Sequence, residues 1–264
     1  MASTYLDDIV AFHRARAAVD ERDWRERLTH VRYEGPSMLD ALGLDSGRVK
    51  VIAEVKRRSP SKGWINEDLD PATTARAYQG GGASAISVLT DEKFFSGSVH
   101  DLELVRASVE LPILRKDFAV CANDVIDTAQ MGASTVLLIV AALSDEEIGL
   151  LLEVAHASQL SALVEVHDQE DLARALAHDV SFIGVNQRDL RTFGVDTAQA
   201  EAMVKLLPQG VISVAESGFS SAREVARAGE VGFDAVLVGE TFVRSSDPSA
   251  LVREFASQTR RPRG

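Results

Sequence analysis

Residues 81–89 read GGASAISVL, and the phrase returns as MGASTVLLIV over residues 131–140 and as VGFDAVLVG over residues 231–239. In each, a glycine closes a segment of helical period and an apolar run follows almost at once. Glycine just past a helix end supplies a left-handed C-cap, so each phrase reads as a helix returning into a strand. Working outward, strand-like runs occur at Val49–Val55, Ala85–Leu89, Ile113–Leu114, Thr135–Val140, Ser161–Val166, Phe182–Val185, Val211–Ala215 and Ala235–Val238. Segments of helical period lie between them, from Ala72–Tyr78 to Ser249–Phe255. Near-continuous apolar strands belong to a parallel sheet covered by helices, an α/β fold. Eight such units favour a closed (β/α)8 TIM barrel, with an open doubly wound sheet as the alternative.

Residues 1–48 differ from this repeat. Leu6, Ile9, Val10 and Phe12-His13 sit at helical spacing, and the charge-rich ARAAVDERDWRERL follows. One or two amphipathic helices are expected, ended near Gly35-Pro36 and covering a flank. No Pro-rich linker interrupts the repeat, so residues 1–264 are expected to form one barrel domain with an N-terminal helical extension over 1–48. No run is followed by GxGxxG and no GxxxxGK[ST] occurs, so dinucleotide and P-loop binding are not supported.

The chain is 45% hydrophobic and carries a formal net charge of −12, which argues against a general affinity for nucleic acid or anionic membranes. An anionic small substrate would need positive charge gathered locally. The single cysteine, Cys121, cannot form an internal disulfide. MASTYLDDIV lacks the pattern of a signal peptide, and the longest apolar run, Val136–Leu143, falls short of the ~20 residues of a membrane helix. A cytoplasmic protein is expected.

Barrel chemistry sits at the C-terminal ends of strands and in the loops after them. There Glu54 and Lys56 share one face of a period-2 strand, before the turn residues Ser59-Pro60-Ser61-Lys62-Gly63. Lys116 ends the third run, Glu165 the fifth, Asn186 and Arg188 the sixth, Glu216-Ser217-Gly218 the seventh and Gly239-Glu240 the eighth. Any one alone reads equally well as a salt bridge or helix cap. Together they are harder to dismiss, because burying so many polar groups without partners is costly. The glycines of the last two ends allow close backbone approach, and the helices that follow favour a phosphate. Trp64, Phe94, Phe95 and Phe118 fall in post-strand loops, which suggests an aromatic ligand or ordinary loop packing. His13, His30, His100, His156 and His178 lack ligand spacing. His167 shares the parity of Glu165 and could approach the site, but with Asp168 it is expected to begin the next helix. No metal-ligand cluster is legible.

AEVKRRSPSKG, SVLTDEKFFSGS, LPILRKDF, ALVEVHD, IGVNQRDLRTF, VAESGF and VLVGE, in that order, resemble the indole-3-glycerol phosphate synthase family of tryptophan biosynthesis. The resemblance implies a carboxy-lyase without metal or cofactor. Its substrate is 1-(2-carboxyphenylamino)-1-deoxyribulose 5-phosphate, closed to the indole with loss of carbon dioxide and water. By this resemblance Lys116 is the general acid and Glu165 the base, or the electrostatic partner, in the dehydration. Lys56 binds anionic substrate and shares the acid work, while Glu54, Asn186 and Glu216 position the lysines and sugar hydroxyls, with Arg188 nearby. Ser217, Gly218, Gly239 and the amide of Glu240 hold the phosphate. Ser59 also contacts substrate, and Pro60, Phe95, Phe118, Leu137 and Leu190 wall in the ring. The expected partner is therefore a small phosphorylated aromatic substrate, with no nucleic acid and no membrane, on a monomer or weak oligomer. Gln187 and Thr241-Phe242 depart from the family pattern. A phosphoribosylanthranilate isomerase would need a cysteine–aspartate pair at strand ends, whereas Cys121 lies beyond Lys116. A barrel that only binds a phosphorylated ligand would be expected to lack Lys116 or Glu165.

Overall fold

The structure is a computed structural model that describes residues 4–43, 47–60, 62–188 and 194–263. The eight apolar runs form the parallel strands β1 (Lys50–Val55), β4 (Ala85–Leu89), β5 (Ile113–Lys116), β6 (Thr135–Ile139), β7 (Ser161–Val166), β8 (Phe182–Asn186), β9 (Ile212–Glu216) and β10 (Ala235–Val238). They close in the order β1-β10-β9-β8-β7-β6-β5-β4, with β4 pairing back to β1. That closure removes the open-sheet alternative and leaves no exposed strand edge. Alternation divides the side chains. Val51, Ala53, Ile86, Val88, Val164 and Val166 face outward into one buried cluster with the helices, while Ile52, Leu114, Leu137, Leu163, Phe182 and Val214 fill the interior.

The outer helices are α4 (Pro71–Gly81), α6 (Val99–Arg106), α7 (Ala122–Gln130), α8 (Asp145–Ala157), α9 (Gln169–Leu176), α10 (Thr197–Val204), α11 (Ala222–Val231) and α13 (Pro248–Ala256). Three further pieces build the rim, the first two in segments expected as loops. The antiparallel pair β2 (Arg58–Ser59) and β3 (Gly63–Trp64) follows β1, α5 (Glu92–Phe95) follows β4, and α12 (Glu240–Val243) follows β10.

The N-terminal extension does more than cover a flank. It forms three helices, α1 (Tyr5–Ala17), α2 (Trp24–Leu28) and α3 (Met38–Leu42), the last one beyond the expected stop at Gly35-Pro36. Ser37 caps α3 by accepting a hydrogen bond from Asp40 N–H, so the chain restarts a helix after the turn. Met38 and Leu42 are fully buried and join the interior cluster with Ala85, Phe182, Ile212 and Ala235, the residues that open β4, β8, β9 and β10. The third helix is thus the floor of the barrel. The charge-rich segment before it is an electrostatic clasp on α7. Arg16 donates to Asp124 at 2.5 Å, Arg22 to Asp127 at 2.9 Å, and Arg27 to Asn123 at 2.7 Å and Asp127 at 2.5 Å.

Leu42→Ala should lower stability by about 2–5 kcal/mol, the usual cost of emptying a buried leucine site. Its place at the floor, opposite the strand ends that carry the polar residues, predicts unchanged ligand affinity there. Urea denaturation beside a binding measurement checks both halves; a loss of affinity as large as the loss of stability would contradict the assignment.

Candidate active site

Strand register assembles the polar layer. Glu165 pairs with Gly184 across β7 and β8, Asn186 with Glu216 across β8 and β9, and Lys116 ends β5 opposite Leu89. Lys116 Nζ donates to Glu165 Oε2 at 2.6 Å and to Glu216 Oε2 at 2.9 Å, and Asn186 Nδ2 donates to Glu165 Oε1 at 3.1 Å. Gly184 makes this possible, because a Cβ there would overlap Glu216 Oε1 and crowd Leu163. Both carboxylates are 2% exposed or less, so their charges are held by the protein and not by water.

The two glutamates are not equivalent. Burial raises the pKa of each. For Glu165 this is more than offset by Lys116, His167 and the bond from Asn186, which hold its carboxyl well below the usual range. Glu216 shares only the lysine, lies beside the Glu165 charge, and has an Oε1 without a hydrogen-bond partner. Burial and Glu165 together push it up to about 7, against the pull of Lys116. When the layer holds an extra proton, Glu216 carries it. Lys116 is desolvated too, but Glu165, Glu216 and Glu54 keep its ammonium charged and its pKa above the ordinary value.

A second pair stands beside the first. Lys56 bonds Glu54, which is 3% exposed, and a Cβ on Gly239 would stand 2.5 Å from Glu54 Oε1 and 3.2 Å from Lys56 Nζ. The absent side chain of Gly239 therefore accommodates this ion pair as well as any ligand. Ser217 and Gly218 both have positive φ, 72° and 85°, which turns the chain sharply after β9. The helices that follow differ from expectation. α11 starts only at Ala222, and Glu224 takes the N–H groups of Ser220 at 2.6 Å and Ser221 at 3.0 Å, the two residues just ahead of the helix. α12 opens directly after Gly239 with no side-chain cap, which leaves its first backbone N–H groups without a side-chain acceptor.

These groups line one cavity of about 760 Å³, together with Ser59, Pro60, Arg188, Ser217, Gly218 and Glu240. Phe95, Phe118 and Leu137 form an apolar wall, with the two rings 6.0 Å apart. Leu190 lies outside the described residues. Of the other rim aromatics, Phe94 packs on Tyr5 and Phe12, and Trp64 is half exposed; neither lines the cavity. Cys121 also lies away from the lining, at the start of α7, and burial beside Asp124 pushes its thiol up to about 11. The departures from the family pattern have local roles. Thr241 Oγ1 donates to Phe219 O at 2.5 Å, Phe242 packs between Tyr78 and Phe255, and Gln187 takes part in backbone bonds with Glu216 and Asp196.

Three features escape a reading by strand ends. Tyr5, Leu6 and Ile9 of α1 line the cavity, so the extension supplies part of its wall. The apolar spacing of Leu6 and Ile9 marks the helix face, but nothing in it says which surface that face covers. His13, which lacks ligand spacing, is 4% exposed, donates from Nε2 to Asp91 Oδ2 at 2.8 Å and stacks on Phe118 at 5.6 Å. His13, Asp91 and Asp117 bring ligand-type atoms within 4.8 Å of one another, a cluster assembled from three distant segments. Its oxygens are already engaged, by Phe94 and Phe95 N–H at Asp91 Oδ1, and at Asp117 by Thr90, Arg115 and Phe118 N–H. That donor set suits a latch between α1 and the Phe118 loop better than a cation. Finally, His167 does not turn away with Asp168: its Nε2 stands 3.4 Å from Glu165 Oε1.

A family model for indole-3-glycerol phosphate synthase matches residues 6–255. Among curated proteins, the indole-3-glycerol phosphate synthase of Kineococcus radiotolerans is 43% identical, covering 98% of this chain and 97% of its own length. That of Micrococcus luteus is 43% identical over 95% and 96% of the two chains. Among solved structures, 3-hexulose-6-phosphate synthase from Salmonella typhimurium superposes with a TM-score of 0.60 at 14% identity, covering 79% of this chain and 97% of that one. Thiamine phosphate pyrophosphorylase from Pyrococcus furiosus gives 0.58 at 16% identity, covering 78% and 93%. The structural likenesses establish the barrel alone, whereas the sequence matches run nearly end to end: the chain belongs to the indole-3-glycerol phosphate synthase family.

Proposed function

We propose that the cavity carries out the reaction of its family, the decarboxylating closure of 1-(2-carboxyphenylamino)-1-deoxyribulose 5-phosphate to indole-3-glycerol phosphate in tryptophan biosynthesis. The observation that carries this reading is the Lys116–Glu165–Glu216 cluster, a buried ammonium between two unlike carboxylates. The ring carbon bearing the carboxylate attacks the ribulose carbonyl, and Lys116 protonates the oxygen. A lysine held by two anions is a weak acid; a proton on Glu216 removes one anion and strengthens it. Carbon dioxide then leaves from a ring packed on Phe95, Phe118 and Leu137, whose apolar wall withdraws solvation from the carboxylate. In the dehydration Glu165 takes a proton from the substrate while the hydroxyl leaves as water, with Lys56 close enough to share the acid work. Glu54 holds Lys56, and Asn186 holds Glu165.

The phosphate sits on Ser217, Gly218, Gly239 and the amide of Glu240, where α12 opens without a cap. Ser59, Pro60 and Arg188 complete the contacts. Residues 1–264 work as one domain, since α1 walls the cavity and α3 floors the barrel. No helix among the described residues is long and apolar enough to cross a membrane. We place the reaction in the cytoplasm, on a monomer or weak oligomer, with the phosphorylated substrate as sole partner and no cofactor. The test is to mix purified protein with the carboxyphenylamino substrate and follow indole fluorescence; no product would overturn the reading.

Lys116→Ala should lower kcat by about 10²–10⁴-fold, the usual worth of general acid catalysis, with a much smaller change in KM. Lys116→Arg should be nearly as inactive, because arginine keeps the charge but does not give up its proton near neutral pH. An arginine variant with most of the wild-type kcat would move the acid role to Lys56.

Glu216 generates a prediction for stability. Its folded pKa, about 7, lies above the ordinary 4.5, so its contribution is fully present below 4.5 and is lost as pH rises through 7. Glu216→Gln removes that loss. Its Tm relative to wild type should therefore climb between about pH 5 and pH 8. A difference flat in pH would show that Glu216 does not hold the extra proton.

A further inference from the structure

The stoichiometry of the ring closure imposes a need for a proton. The ketone oxygen leaves as water and takes up two protons, the substrate gives back one as the indole forms, and the carboxylate departs as carbon dioxide. Each turnover therefore draws one proton from solvent into a layer that bound substrate covers. We propose that His167 is the port for this proton, passing it from the N-terminus of α9 to Glu165, an inference that rests on the ring-closure reading above.

The alternation of β7 carries His167 to the same side as Glu165, one pleat higher. Its Nε2 is 3.4 Å from Glu165 Oε1 and its Nδ1 is 3.7 Å from Asp171 Oδ2. Both ring nitrogens are buried and neither makes a hydrogen bond. Each separation is just beyond hydrogen-bond length, so small ring movements make and break the two contacts in turn. Glu165 presents its other oxygen to Lys116 at 2.6 Å, which places the imidazole and the ammonium on opposite edges of one carboxylate. On the far side, Asp171, itself only 7% exposed, belongs to the first turn of α9, beside the exposed residues Asp168, Gln169 and Glu170. A route from solvent through Asp171, His167 and Glu165 to Lys116 is continuous in side chains.

The charged groups facing the ring are Glu165 from β7, Asp171 from α9 and Glu216 from β9. Burial lowers the imidazole pKa, but these three carboxylates outweigh it and hold the value above the ordinary 6.5, so the imidazolium is an accessible carrier. The cycle balances. Lys116 gives a proton to the ketone oxygen and becomes a neutral amine. His167 accepts a proton from solvent at Nδ1 through Asp171 and gives its Nε2 proton to Glu165 Oε1. The carboxyl turns and passes the proton to Lys116; the imidazole, left with its proton on Nδ1, turns Nε2 outward to take a proton from solvent, gives the Nδ1 proton back to Asp171 and turns back. His167 acts through Glu165 and does not touch the substrate.

The test compares first and later turnovers in His167→Asn and His167→Gln, assayed by indole fluorescence beside wild type. Lys116 starts charged, so the first turnover needs no port. With enzyme in excess, both variants should form product within about threefold of the wild-type rate. With substrate in excess, kcat should fall by about tenfold or more while KM stays within about threefold. Added imidazole should restore kcat with rising concentration. Slowing of first and later turnovers alike, slowing of neither, or a loss that imidazole does not relieve would overturn the port. A wild type that forms no product would overturn the ring-closure reading itself and leave His167 no proton to carry. If one variant melts below the assay temperature, the other supports or overturns the port by the same comparison.

Discussion

One ammonium facing two carboxylates in the dry interior of a barrel constrains everything around it. Lys116 cannot neutralise Glu165 and Glu216 equally, and the surroundings decide which of them keeps its charge. Asn186 and His167 lean on Glu165, while Glu216 has an oxygen with no partner. The asymmetry sets one carboxylate low and the other near 7, the separation that acid–base chemistry at neutral pH requires. It also explains the glycines. Gly184 and Gly239 stand where a methyl group would strike Glu216 or the Glu54–Lys56 pair, so the strands are hollowed where the charges need room.

Such a layer demands a sealed floor, since water reaching it from below would screen the charges that tune one another. Met38 and Leu42 provide the seal, brought there by a chain that first crosses the rim as α1 and then runs down α7. The arginines of the extension fix that route. Arg16, Arg22 and Arg27 each meet a carboxylate or amide on α7, so the connection between roof and floor is pinned along its length. The latch of His13 on Asp91 and its stack on Phe118 tie α1 to the residues just after Lys116. Roof, wall and Lys116 are coupled through a handful of contacts.

The barrel was legible because its signal is local. Glycine exits, β-branched runs and their parity place Glu54, Lys56, Lys116, Glu165, Asn186 and Glu216 at strand ends without knowledge of any contact. Register in a closed parallel barrel then brings same-parity strand ends into one layer. What the sequence hid depends on where distant segments land. The helical spacing of Leu6 and Ile9 looks the same whether the face covers a flank or a cavity mouth. Met38 and Leu42 follow a Gly-Pro turn that marks a stop, and only the floor's need for apolar cover shows why a helix resumes. His13 meets Asp91 and Asp117 across most of the first half of the chain, so spacing could not reveal the cluster. His167 has the parity to approach Glu165, but Asp168 is a good N-cap and draws it toward the helix, which is true of Asp168 and says nothing about the residue before it.

The two ends of the cavity oppose each other in physical character. One wall is apolar, built from Phe95, Phe118 and Leu137 with Ile9 of α1. At the other, Ser217 and Gly218 turn sharply and α12 presents N–H groups without a side-chain cap. Between them stand the two lysine–carboxylate groups. A ligand with an aromatic ring at one end and a phosphate at the other is oriented by that contrast alone, because reversing it would desolvate the phosphate against phenyl rings. Orientation of this kind places the middle of the ligand against Lys116 and Glu165 without any contact to the reacting atoms. On the proposed reading, the acidic chain handles an anion by local means: a few backbone donors at one end and two lysines whose charges its own carboxylates balance until a substrate arrives.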